Sequence, residues 1–413
     1  MKIGGGEFAD FVVAGQRCGT ISVFLTLLAT IFGASATLGV AERAEKIGFP
    51  AFWWLASGAV GLALQGILLS AKIRESGART LPELARQKAG PLAQRLVAIV
   101  IAISWPAVIG AQLAAFAGLW CAITGSSGTA LPTILCALIV ALYTLIGGQR
   151  AVVKTDAPQM LVLAAGFGGL FLWIFSGKCG GAPVPVESVR LLSFEFGPRE
   201  AILSLLTVGG AYFLGPDIAS RSLVARDGRT ARRAALAAAP ALLSFGVAIA
   251  LAGMWAATNA PGAGNPILRI AAKLPLALRL CLSIGLFCAV LSSADTCLVN
   301  AAAIVAGDLA GSRSVRATRI ADAAMAVAAT VLALFGGDII GVLLKAYSIY
   351  TPGVVCPLAV SIICGRVNRR FWLAAVAAGG LCGLVGTLFP SLDFLPAAGM
   401  ALSLLLALAG RAI

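Results

Sequence analysis

Ala289-Val-Leu-Ser-Ser-Ala-Asp-Thr296 lies inside a segment, 276–308, that is otherwise almost wholly apolar. Four oxygen-bearing side chains fall within five positions of this stretch: Ser292, Ser293, Asp295 and Thr296. A carboxylate inside an apolar helix is costly and indicates a functional site, and hard cations prefer oxygen ligands. Because Ala289 stands one helical turn before the two serines, its carbonyl and their hydroxyls can share one face. The stretch favours a cation site, the alternative being serines that only bond back to a carbonyl one turn earlier.

The composition of the whole chain indicates a membrane protein. Of its 413 residues, 60% are hydrophobic and only 12% are charged, which is too apolar for a soluble domain. Apolar runs of about 20 residues recur along the length, and each is long enough to cross a bilayer. Since backbone in lipid must satisfy its own hydrogen bonds, the sequence predicts an all-α polytopic protein surrounded by the lipid bilayer.

The same composition excludes other classes. The net charge of +14 is carried by short loops between apolar runs, where basic residues set orientation, so we expect no nucleic-acid partner. The chain has no histidine, and its ten cysteines contain no CxxC pair. Neither a disulfide framework nor a metal site of Cys and His follows. HExxH and GxSxG motifs are also missing, and we expect no enzyme.

Hydrophobic runs and basic residues together predict the topology. We predict twelve spans, at 20–41, 50–70, 92–123, 130–148, 156–176, 199–222, 234–258, 276–308, 316–336, 338–364, 370–389 and 391–411. With a cytoplasmic N-terminus, the inner segments hold 22 basic residues and the outer segments 8, while Lys345 lies within a span. This bias predicts a multi-pass protein of the plasma (inner) membrane with both termini in the cytoplasm.

Two of these spans contain helix-weakening stretches. The first carries Gly33-Ala-Ser-Ala-Thr-Leu-Gly39, and the sixth carries Gly209-Gly-Ala-Tyr-Phe-Leu-Gly-Pro-Asp217. Breaks five spans apart imply two five-helix halves of inverted orientation, and interrupted helices at matching positions indicate a transporter binding site. The alternative is that these glycines only allow close helix packing. The predicted organisation is a cytoplasmic segment, a first repeat, an outer loop, a second repeat and two accessory helices, at 1–19, 20–176, 177–198, 199–364 and 365–413.

Four runs resemble one family. The run Tyr143–Gln159, with Gly-Gly, Ala-Val, Thr-Asp and Gln after an aromatic, resembles the signature of the sodium:solute symporters. The run Val290–Asp308 looks like that family's eighth core helix, and Phe11–Arg17 is similar to its N-terminal Ala-Gly-Arg segment. Gly215–Arg221 resembles the end of its sixth core helix. The match runs in order over roughly 8–365, and it implies the inverted-repeat fold of bacterial leucine transporters (LeuT).

The resemblance also implies a sodium site between the broken first helix and the eighth. Carried over residue by residue, it assigns as sodium ligands the carbonyls of Ala29, Phe32 and Ala289 and the hydroxyls of Ser292 and Ser293. Five largely neutral oxygens suit a monovalent cation that must also be released.

A second site is implied near the inward exit of that sodium. Asp156 occupies the family's aspartate position on the fifth helix, and some members bind a second sodium between it and the positions that are Asp295 and Thr296 here. A carboxylate at 295 departs from the family pattern. Two buried carboxylates within reach need a cation or a shared proton, so we expect a tighter second cation site or a proton-linked one. The alternative is that Asp295 pairs with an arginine or meets water at the inner side.

The substrate is expected near mid-membrane, between the two breaks and the third helix. The predicted lining residues are Ser35, Ala36, Thr37, Gln112, Tyr212 and Phe213. Gln112 can both donate and accept hydrogen bonds, and Tyr212 or Phe213 is expected either to cover the substrate or to pack as an ordinary aromatic. Free amides after Gly209-Gly210 would suit a carboxylate, which favours an amino acid or an organic acid as the solute.

The leading hypothesis is secondary active transport, in which sodium is the coupling ion and a small organic solute is taken up by alternating access. The runner-up is the same fold coupled to protons through Asp156 and Asp295. A non-transporting membrane sensor is less favoured, since no output domain is present in the sequence. We expect no obligate protein partner.

Overall fold

The computed structural model describes residues 4–178, 180–335, 337–365 and 367–412. Over these ranges it is helical, with no β-strand, which confirms the predicted all-α class. The α-helices are α1 (Gly4–Val13), α2 (Thr20–Ile31), α3 (Val40–Ile47), α4 (Trp53–Leu68), α5 (Ser70–Glu75), α6 (Leu81–Ala89), α7 (Pro91–Thr124), α8 (Ala130–Phe175), α9 (Pro198–Leu214), α10 (Pro216–Val224), α11 (Gly228–Asn259), α12 (Pro266–Ala272), α13 (Leu276–Ile304), α14 (Val315–Leu334), α15 (Ile339–Tyr350), α16 (Cys356–Cys364), α17 (Arg369–Leu388) and α18 (Leu395–Ala412). The structure also has three π-helical turns, Ser35–Gly39 before α3, Val305–Leu309 after α13 and Thr351–Val355 between α15 and α16.

Helix length and composition support a polytopic membrane protein. Within the described ranges, nine helical segments are long and apolar enough to cross a membrane, and a bent pair, Thr20–Ile31 with Ser35–Ile47, makes a tenth. Helix α8 consists of two helical stretches that meet at a kink, because the backbone leaves helical geometry at Gly148 (φ 52°, ψ −151°). The stretch before the kink coincides with the predicted fourth span, and the stretch after it contains the predicted fifth span up to Phe175. The count of twelve spans stays a prediction.

The outer faces of the helices are apolar. Large hydrophobic side chains such as Ile146, Leu172 and Val327 are 65–77% exposed on α8 and α14. Contiguous exposed apolar surface marks contact with an apolar partner, and here it surrounds helices of membrane-spanning length. Lipid contact therefore explains both the exposed hydrophobic side chains and the helix lengths.

The first predicted break is present. Helix α2 ends at Ile31, and the chain resumes as the π-helical turn Ser35–Gly39 followed by α3, with a bend of 60° between the two halves. Helix ends leave carbonyls without partners along the chain. The bend thus exposes the last carbonyls of α2 in the interior of the bundle.

The second break lies later than its glycine pair suggests. Gly209 and Gly210 are inside α9, which runs without interruption to Leu214. The break is at Gly215, whose backbone is extended (φ −67°, ψ 147°), and Pro216 starts α10. The predicted free amides after Gly209-Gly210 are therefore absent, and the argument from them for an amino acid or organic acid is wrong.

Close packing explains the glycine pair instead. A Cβ on Gly209 would lie 3.0 Å from the Ser57 carbonyl oxygen of α4, and one on Gly210 would meet the side chain of Thr351. Gly61 of α4 in turn leaves room for the Gly209 carbonyl. In the sixth span, the glycine pair therefore allows close helix packing, which was the alternative to a helix break at these residues.

Helix α13 lies at the centre of the bundle, packed against α2, α7, α8 and α14. The C-terminal helices α17 and α18 pack on each other and against the turn Thr351–Val355. The division into two inverted halves and two accessory helices remains a prediction.

Candidate cation and substrate site

The serine pair of α13 faces the broken end of α2. The Ser292 hydroxyl donates to the carbonyl of Ala29 at 3.0 Å and to that of Ala289 at 3.1 Å. The Ser293 hydroxyl donates to the carbonyl of Thr30 at 2.9 Å and lies 3.4 Å from that of Ala29. Both serines are at most 2% exposed. Oxygens separated by about 260 positions in sequence thus converge at one buried point.

Two carbonyls differ from the predicted set. The serines reach the carbonyl of Thr30, which was not among the predicted ligands, although the carbonyls that follow Leu28 at the end of α2 lack a helical partner. Phe32, which was predicted as a ligand, caps α2: its N–H donates to the Leu28 carbonyl at 2.8 Å, and its ring stacks on Phe245 at 4.3 Å. No described contact joins the Phe32 carbonyl to either serine hydroxyl.

Gly33 allows three elements to meet here. The Ala34 N–H donates to the Oε1 atom of Gln112 on α7 at 2.9 Å. A Cβ on Gly33 would lie 2.9 Å from that same oxygen and closer still to Ser293 Oγ. The break, the third predicted span and α13 therefore approach one another at a position that admits no side chain.

Asp156 lies beside this point and is fully buried on α8. The Thr26 hydroxyl donates to its Oδ2 atom. The same oxygen is 3.4 Å from Nη2 of Arg221, a side chain that is only 1% exposed. Arg221 also donates through Nε to the Thr30 hydroxyl at 2.9 Å and through Nη2 to the Thr296 hydroxyl. One guanidinium thus joins α2, α8 and α13.

The structure corrects the predicted count of 22 inner basic residues, which includes Arg221. Arg221 lies on α10, one helical turn after Asp217, and it is buried. Removing it from the inner count of 22 leaves 21 basic residues against 8 outside. Lys2 and Arg366 of that count lie outside the described residues.

Asp295 is also fully buried, but it does not share the partners of Asp156. Its Oδ1 atom accepts from the Thr296 hydroxyl at 3.2 Å. Among the described residues, Asp295 forms no ion pair, and its Oδ2 atom has no hydrogen-bond partner. The guanidinium of Arg221 stands between Asp156 and Thr296, where a second cation was predicted, and Asp295 does not pair with it.

A cavity adjoins the predicted cation site. Its described lining is contributed by α2, α7, α9, α10, α13, α15 and the π-helical turn after the first break: Thr30, Ile31, Ser35, Val108, Gln112, Ala211, Tyr212, Asp217, Ile218, Ser293, Cys297, Leu343 and Tyr347. Ser35, Gln112 and Tyr212 were predicted to line it. Thr30 and Ser293 belong both to this cavity and to the convergence point of the carbonyls.

Three predicted substrate residues do not line this cavity. Ala36 is fully buried, and the hydroxyl of the equally buried Thr37 donates to the Gly33 carbonyl at 2.8 Å. Phe213 faces the opposite side of α9, where it lines an apolar groove with residues of α4, α16 and α18. We therefore remove these three from the proposed substrate contacts.

Asp217 and Tyr347 line the cavity but were not selected from the sequence. Asp217 lies in the first turn of α10, and its Oδ2 atom is 3.8 Å from the Cys297 thiol, which donates to it. Tyr347 projects from α15 and stacks on Trp54 at 6.2 Å. A Gly-Pro break followed directly by an acid was a usable signal for Asp217, since the residue after a break begins the next helix.

The chain is similar in sequence to known transporters. Residues 11–379 match the sequence model of the Sodium:solute symporter family. The High-affinity choline transporter 1 of Caenorhabditis elegans is 29% identical over 176 residues, which are 41% of this chain and 28% of that protein's length.

Solved structures extend the likeness over nearly the whole chain. A Na+-coupled sialic acid symporter, in a substrate-bound outward-open state, has a TM-score of 0.75 at 13% identity and covers 99% of this chain and 94% of its own. A nucleobase-cation-symport-1 family transporter, in a closed conformation with bromovinylhydantoin bound, has a TM-score of 0.68 at 16% identity, with 97% and 94% covered. These likenesses confirm the predicted LeuT-type fold.

Proposed function

Since the chain belongs to the sodium:solute symporter family, we propose that it couples the inward flow of sodium to the uptake of a small organic solute by alternating access. The family consists of symporters, which agrees with the prediction of a transporter rather than an enzyme. Sodium is the coupling ion of this proposal. The protein acts within the lipid bilayer of the plasma membrane, with both termini in the cytoplasm.

The observation that carries the proposal is the contact between the serine pair and the end of α2. We assign sodium to the carbonyls of Ala29, Phe32 and Ala289 and to the hydroxyls of Ser292 and Ser293, and we add the Thr30 carbonyl, which Ser293 contacts. A hydroxyl has lone pairs as well as a proton, so it can turn from donating to a carbonyl toward sharing a cation with it. Sodium would then replace these hydrogen bonds as the link between α2 and α13.

Coupling follows from shared residues. Thr30 and Ser293 contribute both to the cation ligand set and to the lining of the solute cavity. A cation that orders these residues also orders one wall of the cavity, so that the two ligands favour the same conformation. Each then raises the affinity for the other, as linkage requires.

The second predicted site takes a different form in this proposal. Arg221 contacts both Asp156 and Thr296. We therefore propose that its guanidinium supplies the positive charge that a second sodium ion supplies in some family members. The protein then carries one sodium per cycle. The proton-coupled alternative is favoured by one observation: Asp295 is fully buried, and its Oδ2 atom is without a partner among the described residues.

The test is sodium-driven uptake by the purified protein in liposomes. We expect Ser292→Ala and Ser293→Ala each to raise the sodium concentration for half-maximal uptake about tenfold or more, because losing a ligand contributing about 1.4 kcal/mol changes a binding constant tenfold. The solute is first found by screening organic compounds in sodium and in potassium at one pH. Uptake that is equal in the two salts would eliminate sodium coupling.

Ser361→Ala is the matched control. Ser361 is also fully buried, and its hydroxyl donates to the Leu358 carbonyl at 2.8 Å, far from the cation site in α16. It should leave the sodium dependence unchanged. Unaltered sodium dependence in both site variants would refute the ligand assignment.

A further inference from the structure

The solute cavity has one formal charge in its described lining, and that charge is negative. Of the thirteen lining residues, Asp217 is the one carboxylate, and no lysine or arginine is among them. Asp156 and Asp295 are fully buried, whereas Asp217 retains partial exposure to the cavity. A solute in this cavity therefore meets a carboxylate and no resident cation.

Asp217 has no ion-pair partner within 4.0 Å among the described residues. The basic side chain closest along the helix, Arg221, is one turn further on α10, and its donors reach Asp156, Thr30 and Thr296. The Asp217 carboxylate accepts from the Cys297 thiol, a weak donor, at 3.8 Å. Asp217 is thus a partly exposed carboxylate that faces the cavity without an ion-pair partner, and it fits a site whose ligand supplies the opposite charge.

Two aromatic rings complete the lining. Tyr212 of α9 and Tyr347 of α15 both face the cavity, and Trp54 stacks behind Tyr347. The faces of such rings attract cations, most strongly where water is excluded. Gln112 adds an amide for a hydroxyl or a similar neutral group on the solute.

The start of α10 does not offer an anion site. Its first residue is Pro216, which has no N–H, and Asp217 occupies the first turn. The positive end of this helix therefore faces the protein's own carboxylate. An anionic solute would be repelled by Asp217 and would find no basic side chain in the described lining.

We propose that the solute is a small organic cation with a positively charged nitrogen, bound by the Asp217 carboxylate between the rings of Tyr212 and Tyr347. This inference rests on the proposed function and names the substrate class of the same site. Asp217 is thereby a specificity-determining residue, separate from the sodium ligands.

The test compares charge classes at similar size. Thermal unfolding of the purified protein is recorded in sodium and in potassium with tetramethylammonium and ethanolamine as cations, glycine and proline as zwitterions, acetate and lactate as anions, and glycerol as a neutral compound. We expect sodium-dependent stabilisation by at least one cation, and at least tenfold weaker binding of that cation by Asp217→Asn. Asp217→Glu should retain the preference for cations.

Asp322→Asn is the control, because Asp322 is a buried acid that lines neither site and accepts from Thr144 at 3.1 Å. Stabilisation of Asp217→Asn by sodium alone shows that this variant is folded. The inference is overturned if the wild-type protein is stabilised most by an anion, a zwitterion or the neutral compound, or if none of the cations stabilises it. Both results leave sodium coupling intact. If sodium changes the stability of the wild-type protein under no condition, the proposed function is overturned instead.

Discussion

At the scale of single residues, Arg221 is the least expected feature of the protein. A guanidinium that is 1% exposed contacts one carboxylate and two hydroxyls on three helices. Burying a charge costs several kcal/mol unless a partner and hydrogen bonds offset that loss of hydration. Arg221 therefore places a fixed positive charge beside the residues of the proposed cation site.

The first prediction concerns this ion pair. Arg221→Gln leaves Asp156 as an uncompensated buried carboxylate, so we expect it to destabilise the protein by about 3–5 kcal/mol. Adding Asp156→Asn removes that charge and should restore most of the loss. Thermal unfolding in detergent of the wild type, the two single variants and the double variant measures the coupling between the two residues.

Arg229→Gln is the matched control, since Arg229 is an exposed arginine on α11, and it should change stability little. If the two site substitutions destabilise additively, the pair is not coupled in the way the structure implies.

Uptake by the wild-type protein should also depend on sodium with a Hill coefficient near one, because Arg221 takes the position proposed for a second sodium. A coefficient near two would contradict that assignment.

The site residues that could be predicted from the sequence are those that keep a fixed spacing along one helix. Ser292 and Ser293 stand out as hydroxyls in an apolar segment, and the family resemblance relates them to Ala29. Arg221 could not be assigned in this way, because a basic residue after a broken span can belong to a loop or to a new helix. That choice depends on where the chain restarts, and here Pro216 restarts it early enough to bury Arg221.

At the scale of elements, the two breaks have different causes. The first span bends by 60° where Phe32-Gly33-Ala34 interrupts it. In the sixth, Gly209-Gly210 stays helical because the pair packs against Ser57 and Thr351, and the break falls at Gly215. Glycine alone thus predicts close approach as readily as a break. Proline, which cannot donate an N–H, marks the restart of the helix.

The second prediction uses the first break. A Cβ at position 33 would lie 2.9 Å from Gln112 Oε1 and closer to Ser293 Oγ, so Gly33→Ala must separate α2 from α13. We expect at least a tenfold loss of sodium affinity, since ligands displaced by a few tenths of an ångström bind a cation poorly. Sodium-dependent thermal stabilisation measures this loss.

Gly118→Ala gives the comparison for that experiment. Gly118 lies on α7, where an added Cβ would meet no atom within 4 Å, and this variant should bind sodium normally. Normal sodium binding by Gly33→Ala as well would mean that the close approach of α2 and α13 is not needed.

At the scale of the whole molecule, the prediction from sequence was good for architecture and weaker for continuity. Apolar runs placed the helices because each must span the same apolar thickness. They placed the end of the fourth span at 148, where the structure has a kink at Gly148. They did not show that a helix resumes directly after this kink, since Arg150 and Lys154 suggest a loop.

Alternating access requires contacts that close the side of the molecule facing the cytoplasm. On the predicted cytoplasmic side, Asp308 of the turn Val305–Leu309 accepts from Thr80 at 2.7 Å and from Gln94 at 2.6 Å. Thr80 also caps α6 through the Glu83 N–H. We call these three residues, Thr80, Gln94 and Asp308, the inner latch, because they tie α6 and α7 to the end of α13.

The last prediction tests the inner latch through a cysteine that already lines the cavity. Asp308→Asn removes the charge from both hydrogen bonds, which contribute about 1.5–3 kcal/mol each when one partner is charged, so states open to the cytoplasm gain population. Cys297 is 3% exposed, and its alkylation by N-ethylmaleimide, located by peptide mass spectrometry, should become several-fold faster. Asp393→Asn, which breaks an exposed pair with Arg199, should leave the rate unchanged. Equal rates in the wild type and Asp308→Asn would show that the inner latch does not control access, whereas acceleration by both variants would indicate general loosening of the bundle.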